Sequence, residues 1–383
     1  MAEKSIPVEI TDGNGNYAEL KLPATDYELL DVQERMDGTV LKAEILDYSN
    51  CEYLIRMHDQ VPLNQLNVLM QRLSNFTEAQ EEAFKGLIAM DYQKSPSIRV
   101  ERMIDLAFST DCCHVVAEAQ TDEELGRFYV DNGFYPQLDD LPEVLYDMLD
   151  YESLGRKSRV EEGGVFTDAG YIVQDGELMD VSRRMDFQPH KPEYVFRLQI
   201  RSGADDVFTL DLPVEENIWQ NTLREHGIPG TNRGEILGCD GPIQNLILQN
   251  QLEAEISTLN ELGQKLIQLE KENHVVKLKI IQAAVDAKLP TEILDLADHL
   301  EDYAVEPKVK SVEEFGASDL EFSLGRDEFE RLRPYVNLVG YGQAAMEYQN
   351  AVITPYGVIQ RQDGEPILSV EQELKREEGM VFT

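Results

Sequence analysis

The sequence predicts an α+β protein, an elongated chain of small α/β modules in two diverged tandem repeats. Three observations predict it. Strand-like alternation opens both halves, at Ile6, Val8 and Ile10 and again at Val195, Phe196, Leu198 and Ile200. Leu-rich amphipathic stretches with helical spacing follow each opening. Short matches also recur in the same order at an offset near 190 residues, and self-similarity at a steady offset is the signature of a repeated unit.

The elements follow in order. Leu20-Lys21-Leu22-Pro23 leads into a helical stretch ending at Met36, with Thr25 or Asp26 as its cap. Leu210-Asp211-Leu212-Pro213 leads into a second stretch ending at His226, and Glu44-Ile45-Leu46 matches Glu235-Ile236-Leu237. Leu63, Leu66, Leu69, Met70 and Leu73 mark one face of a long helix; Asn75–Thr77 breaks it and Glu78–Met90 resumes it. Within it Leu66-Asn67, Leu69, Arg72 and Leu73 match Leu259-Asn260, Leu262, Lys265 and Leu266. Leu252, Ile256, Leu259, Leu262, Leu266 and Leu269 have the spacing of a coiled-coil seam or, more commonly, of a buried bundle helix. Gly13-Asn14-Gly15 reads as a turn between strands. Each half ends in a β-hairpin, over 163–174 and 351–360, and Asp175-Gly176-Glu177 matches Asp363-Gly364-Glu365. The expected organisation is therefore copy one over 1–178, a linker over 179–193 with two prolines and an arginine pair, copy two over 194–366, and a charged tail over 367–383 that starts as a helix.

Charge is the most informative property. The chain has 73 Asp+Glu against 34 Lys+Arg, a net charge of 34 − 73 = −39 over 383 residues. A small domain stays soluble with a net charge of roughly 2–8 in magnitude, and excess like charge opposes compaction. The acids are interleaved with a 42% hydrophobic complement, which disordered acidic tails lack. A folded body with an acidic skin is expected, with a basic protein, a cation or a nucleic-acid-binding protein as its natural counterpart. No run of 18 apolar residues is present and the start of the chain has no apolar signal core, so a cytoplasmic protein away from membranes is expected. Four cysteines do not suggest a secreted disulfide scaffold.

Catalytic and metal motifs fare poorly. Asp111-Cys112-Cys113-His114 places a thiol beside an imidazole, but structural zinc sites separate their thiolates by two to four residues. Cys51, His58 and Cys239 lie far apart in sequence and do not complete four ligands. Two partly buried small residues at a helix end is the preferred reading. The glycines form turns, with no P-loop, dinucleotide or nucleophile-elbow pattern around them. No catalytic residue, metal or cofactor is expected, and the chain is read as a non-enzyme.

The acids are densest between Glu118 and Glu152. That stretch contains Asp122, Glu123, Glu124, Asp131, Asp139, Asp140, Glu143, Asp147, Asp150 and Glu152, with Arg127 as its one base. Surface helices ordinarily mix Lys with Glu for the pair energy, and this segment forgoes it. Duplex DNA carries one negative charge per about 1.7 Å, so the 39 net charges match about 66 Å, close to 20 base pairs. The charge suffices for a surface that imitates duplex phosphates if the fold is elongated.

The stretch Leu149-Asp150-Tyr151-Glu152, Gly155-Arg156, Gly163-Gly164-Val165-Phe166-Thr167 and Gly170-Tyr171-Ile172 resembles the C-terminal signature of the ArdA antirestriction proteins. Leu63–Asn67 with Leu69, Leu73 and Phe84 looks like that family's central helical segment. The resemblance covers about residues 5–175. It implies an elongated, non-enzymatic DNA mimic from a mobile genetic element that dimerises and occupies the DNA-binding cleft of type I restriction-modification enzymes. It also implies a dimer contact near Leu149, Tyr151, Gly155, Arg156, Gly163, Gly164, Phe166, Thr167, Gly170 and Tyr171. The chain departs from the pattern by holding two copies, the second with only traces of the signature such as Tyr335, Gly340 and Gly357. Copy one (1–190) has 38 acids and 16 bases, net −22; the remainder has 35 and 18, net −17.

The expectation is an inhibitor that binds a defence enzyme through the carboxylates of 122–152, with no direct nucleic acid partner, as a homodimer or a covalent pseudo-dimer. An anti-CRISPR or regulatory acidic adaptor, binding a basic protein without full DNA geometry, is the alternative.

Overall fold

The computed structural model describes residues 4–12, 16–36, 41–48, 51–57, 60–138, 142–203, 206–228, 234–249 and 251–372. The Gly13-Asn14-Gly15 turn, His58, Asp139, Asp140 and the tail beyond Gln372 lie outside them, as does the side chain of Glu143. The described chain is α+β, with helices and small antiparallel sheets. It divides into two compact units, one comprising 1–24 and 36–189, the other 25–35 and 190–383.

In the first unit, β1 (Ile6–Thr11) pairs antiparallel with β2 (Tyr17–Leu22). Helix α1 (Asp26–Arg35) comes next in sequence but belongs to the second unit. Strands β3 (Lys42–Ile45) and β4 (Gln60–Pro62) complete a sheet of order β2-β1-β3-β4. Alternation decides its two faces: Ile6, Val8, Ile10, Leu22 and Ala43 point inward and are buried. The opposite face aligns Glu19, Glu9 and Glu44 across three strands.

Helix α2 (Leu63–Ser74) buries Leu63, Leu66, Leu69, Met70 and Leu73. Its buried Asn67 satisfies the backbone of Ala24, accepting from the amide (2.7 Å) and donating to the carbonyl (3.1 Å), so an interior amide holds the loop after β2. The expected break separates α2 from α3 (Glu78–Tyr92), which begins with a Thr77/Gln80 capping box. Helix α4 (Val100–Phe108) follows. Its Asp105 is buried and accepts from the amides of Val181 and Ser182 at 2.9 Å and from the Ser182 hydroxyl at 3.1 Å, so the start of the proline-bearing 179–193 stretch is anchored to α4.

Strand β5 (Cys113–Val116) leads to α5 (Asp122–Asp131), α6 (Glu143–Tyr146) and α7 (Tyr151–Glu162), and then to the hairpin of β6 (Val165–Thr167) and β7 (Gly170–Gln174). The sheet order is β5-β7-β6. Helix α3 backs this sheet at Gly86, where a Cβ would meet Ile172 at 2.6 Å.

The second unit presents a similar order of parts, with a first sheet of three strands where the first unit has four. Strands β8 (Phe196–Arg201), β9 (Val207–Leu212) and β10 (Glu235–Asp240) form a sheet of order β10-β8-β9, with α8 (Glu216–Glu225) between β9 and β10. The register of β10 shifts between Ile236 and Gly238. Helix α9 (Leu252–Lys271) buries all six apolar residues of the predicted stripe in the unit's core, so the bundle-helix reading holds over the coiled-coil one. Its Asn260 accepts from the Val214 amide at 2.7 Å, the counterpart of Asn67 at Ala24. Both loops begin with a cis X-Pro bond, Leu22-Pro23 and Leu212-Pro213. Helices α10 (Val275–Val285) and α11 (Pro290–Asp298) lead to β11 (Tyr303–Glu306). Helices α12 (Val312–Leu324), α13 (Arg326–Leu332) and α14 (Leu338–Gln349) precede the hairpin of β12 (Val352–Thr354) and β13 (Gly357–Arg361), in a sheet of order β11-β13-β12. Ile367 and Val370, at the start of the tail, pack against the core.

Helix α1 is held in the second unit by polar contacts around one buried cation. Lys279 of α10, 4% exposed, donates to Asp31 at 2.9 Å and to Glu34. The Tyr356 hydroxyl donates to the same Asp31 at 2.8 Å, and the Tyr27 hydroxyl to the Tyr194 carbonyl at 2.5 Å. Thr25 caps α1 through the Glu28 amide (3.2 Å) and donates to Asp240 (2.7 Å). Removing one partner of a buried pair strands the other charge. Lys279→Met should therefore cost about 3–5 kcal/mol, read as a lower denaturation midpoint in urea, whereas reversal of an exposed pair such as Arg331–Glu328 should cost less than about 1 kcal/mol.

Candidate functional site

The acidic segment is built on two helices whose backbones touch. A Cβ on Gly126 of α5 would sit 1.9 Å from the Tyr151 carbonyl oxygen, and one on Gly155 of α7 would sit 1.8 Å from that of Asp122. Only glycine at both positions permits the approach. Thr121 caps α5 by accepting from the Glu124 amide (3.2 Å), and Asp150 caps α7 by accepting from the Ser153 amide (3.0 Å). Gly163 ends α7 at φ +72°, a left-handed conformation glycine adopts without strain.

The predicted carboxylates divide by role. Asp122 is largely buried and bidentate with Arg159, at 2.7 and 3.1 Å, with Arg156 at 3.6 Å. Glu123 pairs with Arg127 at 2.9 Å, and Glu152 pairs with Arg156. Glu124 accepts from the Gln120 amide at 2.8 Å. Asp150 spends its oxygens on the α7 cap. Asp131 and Asp147 are exposed, with no ion pair among the described residues. The sequence places one base within this segment; the fold brings two more, Arg156 and Arg159, onto its acids from α7. The surface also exposes apolar groups, including Phe134, Val144, Met148 and Val160.

The Arg159 guanidinium, by hydrogen bonding, holds the Asp122 carboxyl below the usual carboxylate range. A carboxylate with a depressed folded-state pKa contributes its stability above its unfolded value, near pH 4, and loses it as pH falls through the folded value. Asp122→Asn should thus be less stable than the parent at pH 7, and the gap should close as pH falls below about 4 and through the lowered folded-state value. Thermal melts across that range check it.

The residues of the signature-like stretch mostly form the interior of this module. Tyr171 is fully buried, and Gly155, Gly164 and Gly170 are buried. Glu162 accepts from the hydroxyls of both Tyr129 and Tyr171 at 2.8 Å. Burial, reinforced by that carboxylate, pushes both phenols up. A Cβ on Gly164 would meet the Tyr171 hydroxyl at 2.3 Å. Phe166 is half-buried against the Tyr171 ring, and Thr167 accepts from the Ala169 amide at 3.3 Å in the hairpin turn. Leu149 and Tyr151 are half-buried; Arg127 lies 4.5 Å from the Tyr151 ring. Arg156 and Gly163 are exposed.

The second unit has the matching module, built on glycines that no sequence motif marks. Gly316 of α12 and Gly342 of α14 touch as Gly126 and Gly155 do, a Cβ on Gly342 meeting the Val312 carbonyl oxygen at 2.2 Å. Ser311 and Glu314 form the capping box where Thr121 and Glu124 stand. At the positions of Asp122 and Arg159 this unit has Val312 and Met346. The Tyr129–Glu162 contact becomes Asp319–Gln349, at 2.7 Å. The hairpin recurs as Val352-Ile353-Thr354-Pro355-Tyr356-Gly357, with Thr354 accepting from the Tyr356 amide at 3.3 Å. Tyr335 is 86% exposed, outside this correspondence.

Cys112 and Cys113 are both half-buried, Cys112 at the end of a single 3-10 turn and Cys113 at the start of β5. Burial and the nearby Asp175 push the Cys113 thiol up to about 12, the reverse of an activated nucleophile. The Cys112 thiol donates to the Glu177 carbonyl at 3.1 Å. Among the described residues no group of three His, Cys, Asp or Glu side chains is placed to hold a metal, and no helix is long and apolar enough to cross a membrane. No protein-family model matches the chain, and no curated protein matches it.

Proposed function

We propose that this chain is a tandem ArdA-like antirestriction protein that inhibits DNA-binding defence enzymes, type I restriction-modification enzymes first among them, by occupying their DNA-binding cleft. The observation that carries the reading is the display of Glu123, Glu124, Asp131 and Glu152 at the surface of a helix pair locked by glycine-to-backbone contact, with Asp147 exposed on the segment that joins the two helices, in a chain of net charge −39. A rigid scaffold presents charges to a partner without an ordering cost. The parallel series of Asn67/Asn260, Gly126/Gly316, Gly155/Gly342 and Thr167/Thr354 supports descent of the two halves from one unit.

The test is a titration of the protein into DNA cleavage and methylation assays of a type I enzyme. Both activities should fall together, and inhibition should weaken steeply as salt rises, because the contact replaces phosphates on a basic surface. Salt-sensitive binding to a basic protein whose DNA cleavage and methylation are left unchanged would instead favour the acidic adaptor, a reading that the exposed Val144, Met148 and Val160 support by offering apolar contact. No inhibition of any DNA-binding enzyme tried would sink the proposal.

A further inference from the structure

The second unit contains a cavity of about 330 Å³. It opens to solvent on the side where Glu270, Lys191 and Ile267 are exposed, and is a cleft rather than an interior void. It falls inside the range of small-molecule sites, about 300–1,000 Å³. Its apolar walls include Leu30 from α1, Leu266 and Ile267 from α9, and Val275 and Val276 from α10. Such a lining gives water few partners.

The polar groups of the cavity differ in access. Lys279 is 4% exposed and already holds Asp31 and Glu34. Glu270 is 51% exposed and pairs with an equally exposed Lys191, and Glu34 is 39% exposed. The reachable charges are thus the Glu270 carboxylate and its exposed partner Lys191, while Glu34 and the buried Lys279 already pair with each other. The chain's charge of −39 further disfavours an anion.

We infer that this cavity is a binding site for a small organic cation with an apolar body and a single ammonium group. The apolar body sits against Leu30, Ile267 and Val276. The ammonium lies at the mouth and takes Glu270 from Lys191, an exchange that a solvent-exposed ion pair resists little. Because α1 supplies a wall, the ligand binds the state in which α1 is docked and stabilises it by mass action.

Calorimetric titration of the full chain with 2-phenylethylamine, 2-phenylethanol and phenylacetate tests this. The amine should bind saturably with one site, at least tenfold tighter than the alcohol, and phenylacetate should not bind. Glu270→Gln should reduce the amine to the level of the alcohol. Val276→Trp fills the cavity and should abolish binding of both; Ile267→Trp, at a partly exposed position, serves the same purpose should the first variant lose its native circular dichroism. Phenylacetate binding as tightly as the amine, unchanged amine binding in a folded cavity-filled variant, or no saturable binding by any of the three probes would each overturn the inference.

Discussion

Gly155→Val should break the helix pair of the first unit. A Cβ at position 155 meets the Asp122 carbonyl oxygen at 1.8 Å and the Gly126 amide nitrogen at 2.7 Å. Both obstacles are backbone atoms of α5, which cannot turn aside as a flexible side chain can. The helices must separate, and with them go the Asp122–Arg159 ion pair and the Tyr135 hydrogen bonds to Leu154 and Ser158. A loss of about 3 kcal/mol or more is expected, at the upper end of overpacking and beyond ordinary substitutions. Gly342→Val should do the same in the second unit, where the Val312 carbonyl oxygen lies 2.2 Å from the added atom. Gly203→Ala is the control, since a Cβ there meets nothing within 4 Å, and it should change stability by less than about 0.5 kcal/mol. Urea denaturation followed by circular dichroism reads all three. Equal midpoints for Gly155→Val and Gly203→Ala would show that the helices are not in backbone contact.

Much of this architecture was legible in the sequence because it follows from periodicity. The stripe from Leu252 to Leu269 was readable as one buried face, and the Asn75–Thr77 break was readable because Thr77 is a strong cap. The hairpins at 163–174 and 351–360 were announced by strand residues flanking turn chemistry. Two things were not legible. A glycine in a helix signals weakness by propensity alone, so Gly126, Gly155, Gly316 and Gly342 revealed their packing role only once their neighbours in space were known. The membership of α1 in the second unit rests on Lys279 meeting Asp31, residues 248 positions apart, which no local pattern encodes. The acidic segment was legible as composition, but its division into paired, capping and free carboxylates was not. Arg156 and Arg159 lie beyond the segment in sequence and return to it through the α5–α7 crossing.

That division determines the most informative functional variant. Asp122 and Asp150 stabilise the module, so reversing them would confuse unfolding with weakened binding. Asp131, Asp147 and Glu152 are exposed, and none of their side chains caps a helix. Reversing all three to Lys changes the net charge from −39 to −39 + 6 = −33 and should leave the fold intact. Under the proposed function, inhibition of the target enzyme should weaken by about ten- to a hundredfold at low salt, because truncating or reversing rim charges mainly slows association. The slope of log affinity against log salt should also become shallower, by about one for each carboxylate that had stood in for a phosphate. The matched control reverses Glu321, Glu330 and Glu347 of the second unit, all exposed, and brings the same six-charge change. If both triples weaken inhibition equally, only the overall field attracts the target, and the face formed by α5, α6 and α7 has no special part in binding. Weakening confined to the first triple would locate the interface on that face. Weakening confined to the second would move the interface to α12–α14 and leave the first module as scaffold.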